Sequence, residues 1–255
     1  MDRVRRKARL LSAALGAALA VPALGYLLPT QAVLRHLGLR REALELSALE
    51  ITGTLQAEGQ SAERLNAATA RPPGGRAFAP ARILLKIPGR CRLEVMGATP
   101  SESPYLVLRD TRLTAGGGLD ADPSAVALLR AVCTLLATSN AGDASAAYSI
   151  ALARRGVDLS DESLGRFDGR LAYVIGGHPL EAKPLLYVDK DAFQPLRLVA
   201  AEGGHFEDVR LLGWGSPTGG DWFPRAVEVV EGSELRLRFT TERANANPRI
   251  PEGLL

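Results

Sequence analysis

Histidine, cysteine and aromatic residues are scarce in this chain. Its 255 residues include three histidines, two cysteines, and aromatics at 5%. None of His36, His178 and His205 has a partner at metal-ligand spacing. HExxH and CxxC are both absent, so the sequence offers no metal centre. A GxSxG nucleophile elbow is missing too. "GWGSPTGG" has the glycines and a serine, but it lies between strand patterns with no helix after it. "TAGGGLD" is followed by no Lys-Ser/Thr and preceded by no parallel strand, which leaves it a loop rather than a phosphate cradle. Asp189, Asp191 and Glu181 read as turn residues, because Asp hydrogen-bonds its own local backbone. No catalytic residue, metal ligand or cofactor is assigned, and the chain reads as a non-enzyme. An envelope hydrolase using the acidic turn or His178 is the remaining catalytic rival.

Long apolar runs are absent except near the start. There, Arg3, Arg5, Arg6, Lys7 and Arg9 precede an apolar run from Leu10 to Leu24, broken by Pro22, with small residues following at cleavage spacing. This is the pattern of a secretory signal over residues 1–25. The alternative is an uncleaved anchor, since Leu10 to Leu28 is just long enough to span a bilayer. The chain is therefore expected in the periplasm, free or held at the inner membrane through that segment. The segment carries +4 of the formal net charge of +3, leaving −1 for the rest. That balance predicts no nucleic-acid partner, which would need a clustered basic face.

With only Cys91 and Cys133, an exported chain has a single disulfide available. "CRLEV" alternates so that Cys91, Leu93 and Val95 share a face. In "AVALLRAVCTLLA", Val126, Leu129, Cys133 and Leu136 share a helical face. Both thiols are expected to point inward, either bridged or as two buried free cysteines.

What is present is hydrophobic content of 46%, enough for a core. "PTQAVLRHLGLRREALEL" reads as an opening helix, with His36 at its surface or boundary. "ALEITGTLQAEG" switches to a strand, with Gly53 a bend or bulge. Residues 60–78, with "RPPGG", read as a polar loop. Strand patterns then follow at hairpin spacing: "ARILLKI", "RLEV", "YLVLRD" and "RLTA". Asp122 as cap and Pro123 in the first turn open a helix that runs to Ala137. "GRLAYVI", "PLLYV", "PLRLVA", "EDVRLLGW", "WFPRAVEVVE" and "ELRLRFTTER" return to strands. In "LRLRF", Leu235, Leu237 and Phe239 are expected on one face and Arg236 and Arg238 on the other. The fold class is mainly β with some helix (α+β). It is expected to be one strongly curved antiparallel sheet, an incomplete barrel with plug helices, over residues 26–255.

The second half resembles the lipoprotein-carrier family of bacterial envelopes, the LolA/LolB-like half-barrels and their sensor relatives. The resembling stretches are "LLYVDKDAFQPLRLV" at 185–199, "WFPRAVEVVEGSELRLRF" at 222–239 and "NANPRIPEGLL" at 245–255. The opening "VLRHLGLRREALELSALEITGTLQAEG" is similar to the family's first helix and strand. The resemblance implies an apolar cavity that takes lipoprotein acyl chains or other lipid, and no cofactor. Candidate wall residues are Ile83, Leu85, Ile87, Leu93, Val95, Leu235, Leu237 and Phe239. Val126, Leu129 and Leu136 are candidates for the plug. Burying a methylene contributes about 0.8 kcal/mol, so an acyl chain of about 16 carbons offers roughly 12 kcal/mol before the cost of opening the cavity. The alternative is an envelope sensor or scaffold that binds another protein through the same fold.

Overall fold

The structure is a computed structural model describing residues 27–97, 103–138, 144–202 and 205–255. The expected signal or anchor, residues 1–25, lies outside the described residues. Twelve strands form one antiparallel sheet in the order β5-β4-β3-β2-β1-β12-β11-β10-β9-β8-β7-β6. They are β1 Ala48–Glu58, β2 Arg76–Lys86, β3 Arg90–Val95, β4 Tyr105–Arg109, β5 Arg112–Gly116, β6 Glu162–Phe167, β7 Arg170–Ile175, β8 Leu185–Asp189, β9 Pro195–Glu202, β10 His205–Leu212, β11 Ala226–Glu231 and β12 Glu234–Ala246. Nearly every neighbour in the sheet is a neighbour in the chain, apart from the closure of β1 onto β12. The two ends, β5 and β6, do not pair with each other, so the sheet stays an open half-barrel.

Four α-helices accompany the sheet among the described residues: α1 Thr30–Glu42, α2 Gln60–Ala68, α3 Pro123–Leu136 and α4 Ala144–Ala153. None is long and apolar enough to cross a membrane. α3 begins as the sequence requires. The Asp122 side chain accepts from the Ser124 amide at 3.2 Å, with Pro123 at the first position. Its residues are buried on nearly every side, including Leu128, Leu129, Val132, Leu135 and Leu136. A helix apolar all round belongs inside, and α3 fills the concavity of the sheet.

Strand alternation supplies the matching wall. Ile51, Ile83, Leu93 and Leu106 stand opposite one another across β1–β4. Leu55, Phe239, Val227 and Leu211 do the same across β1, β12, β11 and β10. Both rows join the α3 side chains in one hydrophobic cluster. Gly53 sits at the expected irregularity, a register shift between Thr52 and Gly53 against β12. A Cβ there would collide with the carbonyl oxygen of Thr240, so the close strand approach needs glycine.

Three segments differ from the expectation, one of them the helix Ala144–Ala153, which the sequence reading does not include. Residues 60–78 are not a loop throughout: Gln60–Ala68 is helical, and β2 already begins at Arg76. The helix forms because Ala62 and Leu65 lie on one face and are buried against the core, while Gly59 supplies a φ of +58° for the tight entry. The stretch 154–170 contains a further strand, β6, which pairs with β7 through the Asp168-Gly169 turn. Its sequence, "ESLGRF", is too polar to show a clean period.

Candidate ligand-binding site

The residues expected to line a hollow are almost all core residues in this conformation. Ile83, Leu85, Leu93, Val95, Leu237 and Phe239 are buried, and they pack in one cluster with Val126, Leu129 and Leu136 of α3. Ile87 is half-buried at the edge of that cluster. Wall and plug thus touch each other, and α3 occupies the space between them. Leu235 is half-buried outside the cluster. The physical reason is a bulge between β11 and β12: Val229 opposes Leu237 and Val230 opposes Leu235, leaving Arg236 as the extra residue. The simple alternation across 235–239 fails there, and Arg236 turns toward the mouth beside Gly59.

Open space lies at that mouth. A cleft of about 400 Å³ runs between the start of α2, the first half of α3 and the ends of β10–β12. Ala127, Val229 and Val230 line its buried floor, and Phe206, 47% exposed, supplies the open apolar surface. Arg64, Glu207, Glu231 and Arg236 stand around it. Arg236 pairs with Glu231 and Glu234 at 2.9 Å, and Glu207 with Arg155 at 2.7 Å. The volume is at the low end for small-molecule sites, and an apolar floor with a few charged groups is their usual composition.

Polar pins hold both ends of α3 beside this cleft. At the start, Asp122 is 1% exposed and accepts from the Ser61 hydroxyl of α2 at 2.9 Å, with the Arg64 guanidinium 3.8 Å away. Burial raises its pKa above the usual aspartate value, against the lowering by the Ser61 and Ser124 hydrogen bonds. At the far end, Arg41 of α1 is 4% exposed and donates to the carbonyls of Leu136 and Trp222, both at 3.0 Å. Burial lowers its pKa. The Tyr148 hydroxyl of α4 donates to the Leu135 carbonyl at 3.0 Å, and burial pushes its pKa up to about 12. Arg41 and Tyr148 therefore satisfy two of the last carbonyls that a helix leaves unpaired.

Between the pins, a disulfide joins Cys91 of β3 to Cys133 of α3. The second half of the plug is thus tied covalently to the sheet, while its first half is held by hydrogen bonds and packing. The sequence pattern shows the cap at Asp122 and the inward cysteines. It does not show Arg41, Arg64, Phe206 or Arg236, whose roles depend on chain segments far apart coming together.

His36, His178 and the acidic turn make local contacts. His36 stacks on the Phe193 ring with centroids 4.5 Å apart. The backbone of His178 donates to Glu181 at 2.9 Å in a turn. His205 opens β10 rather than lying in a turn. Asp189 accepts from the amides of Asp191 and Ala192, as expected of an Asp turn. No group of three or more His, Cys, Asp or Glu residues suited to a metal ion occurs among the described residues.

Comparison with known proteins bears on the fold. No family model matches the sequence, and no curated protein matches it. Among solved structures, a LolA superfamily protein from Nitrosomonas europaea aligns with a TM-score of 0.50 at 11% identity, covering 89% of this chain and 96% of that one. A DUF1329 family protein from Desulfovibrio piger aligns at 0.45 and 10% identity, covering 88% and 96%. MucB aligns at 0.35 and 16% identity, covering 89% of this chain and 62% of its own. The open twelve-stranded sheet wrapped around an apolar helix is a LolA-like fold.

Proposed function

We propose that the protein binds a lipid or the acyl chain of a lipoprotein in the bacterial periplasm, without catalysis. The observation that supports this reading is the mouth cleft, where the exposed Phe206 lies over a floor lined by Ala127, Val229 and Val230 beside an apolar plug helix. An acyl tail entering the cleft would run along the first half of α3. Each methylene transferred from water would contribute about 0.8 kcal/mol. Arg64 at the rim suits a carboxylate or phosphate on the same ligand. A longer tail would need the first half of α3 to lift from β10–β12, pivoting about Cys133.

Native mass spectrometry of the purified chain, with titration of a fluorescent fatty acid, tests the reading. A bound lipid mass, or saturable fluorescence reversed by unlabelled palmitate, supports it. An empty protein that leaves the dye's emission unchanged overturns it.

A further inference from the structure

The hairpin turns closing β2–β3 and β4–β5 lie side by side at one end of the sheet, and they carry a row of cations. Lys86 stands opposite Arg90, Arg90 opposite Arg109, and Arg109 opposite Arg112. Directly opposed residues share a face, and their neighbours Leu85, Cys91 and Leu108 point into the core. The four cations therefore share the convex face, where Arg90, Arg109 and Arg112 are exposed and Lys86 is half-buried. At about 4.8 Å per strand, the row spans about 14 Å. No carboxylate pairs with any of the four among the described residues. Two rows along the same face, Arg82 pairs with Glu94 at 2.7 Å, and Arg92 also pairs with Glu94, at 3.4 Å. Like charges directly opposed across strands destabilise a sheet, so the fold itself gains nothing from this row.

The inner side of the same turns is basic too. A cleft of about 290 Å³ there is lined by Arg130, Arg154, Arg155 and Asp110, and Arg155 is itself paired with Glu207 at 2.7 Å. We propose that this end of the molecule is a contact surface for the phosphate-bearing face of an anionic lipid bilayer. Guanidinium forks match phosphate oxygens bidentately, and an anionic leaflet attracts each nearby Lys or Arg. A membrane fits better than nucleic acid. The cations form a short row without interleaved aromatic rings, and residues 26–255 carry a net −1.

The full chain is sedimented with vesicles of phosphatidylcholine alone and of phosphatidylcholine mixed with phosphatidylglycerol. Each interfacial cation strengthens binding about fivefold, so the double variant R109Q/R112Q should lose about twenty-fivefold of the preference for phosphatidylglycerol. Added salt should erode the wild-type preference. Fatty-acid titration of the same variant should be unchanged, which separates this surface from the mouth cleft and reports folding. An undiminished preference in the variant overturns the proposal. So does displacement from vesicles by soluble glycerol phosphate, which would mark a site for free phosphate esters, or tighter binding to duplex DNA than to the vesicles.

Discussion

The guanidinium of Arg41 donates to the carbonyl oxygen of Leu136 at 3.0 Å, joining the last turn of α1 to the last turn of α3. The bond is made by a buried cation on a helix end that would otherwise leave carbonyls unpaired. Removing one partner of such a contact strands the other in a dry site, where an unsatisfied group costs about 1–3 kcal/mol. Arg41→Ala should therefore lower the melting temperature by about 2–12 °C in a chain of this size. Differential scanning calorimetry reads the shift. An unchanged melting temperature would show that the contact holds nothing.

Ala127 lines the cleft together with Val229 and Val230. Ala127→Trp should fill that space and abolish saturable uptake of a fluorescent fatty acid. Ala127 is itself buried, so the larger ring should also cost about 1–3 kcal/mol of stability, as overpacking of a core does. Parallel dye titration and thermal melts separate blocked binding from unfolding.

The disulfide between Cys91 and Cys133 closes a loop of 42 residues. Constraining the unfolded chain over that length contributes about 4 kcal/mol in the loop-entropy account. The Cys91→Ala/Cys133→Ala double variant should unfold at lower denaturant by an amount of that order. It should also take up more dye at saturation, because the second half of α3 is no longer tied to β3. Urea titration checks the first statement and binding stoichiometry the second.

Asp122 gives the cap of α3 a pH dependence. Burial raises its pKa in the folded chain above the unfolded aspartate value, despite the hydrogen bonds from Ser61 and Ser124. The folded state then holds the proton more tightly than the unfolded state. The contribution to stability is fully present below the unfolded pKa and is lost as pH rises through the folded pKa. Asp122→Asn can still cap and cannot titrate. The stability of the wild type relative to this variant should fall as pH rises from the acid range toward neutrality. Melts across that range at constant ionic strength measure it, and a gap that widens with pH would contradict the assignment.

Much of this architecture is legible from local patterns. Asp122-Pro123 followed by an alanine/leucine run forms α3 because a cap, a pre-set φ and an apolar surface all favour the same helix. Gly53 marks the irregularity of β1 because no other residue lets Thr240 approach. The alternation in "CRLEV" places Cys91, Leu93 and Val95 on the core side of β3. The helix Gln60–Ala68 escapes a local reading because it is short and polar, and only the core beneath Ala62 and Leu65 stabilises it.

By itself the sequence determined most of the strands, the opening helix, the helix after Asp122 and the inward cysteines, since each depends on residues close along the chain. Tertiary structure decided that α3 fills the sheet and that a cleft remains beside Ala127 and Phe206. It also decided that Arg41 meets Leu136, and that Lys86, Arg90, Arg109 and Arg112 fall into one row. These depend on strand register and on the closure of β1 onto β12, which bring together residues that no spacing along the chain connects.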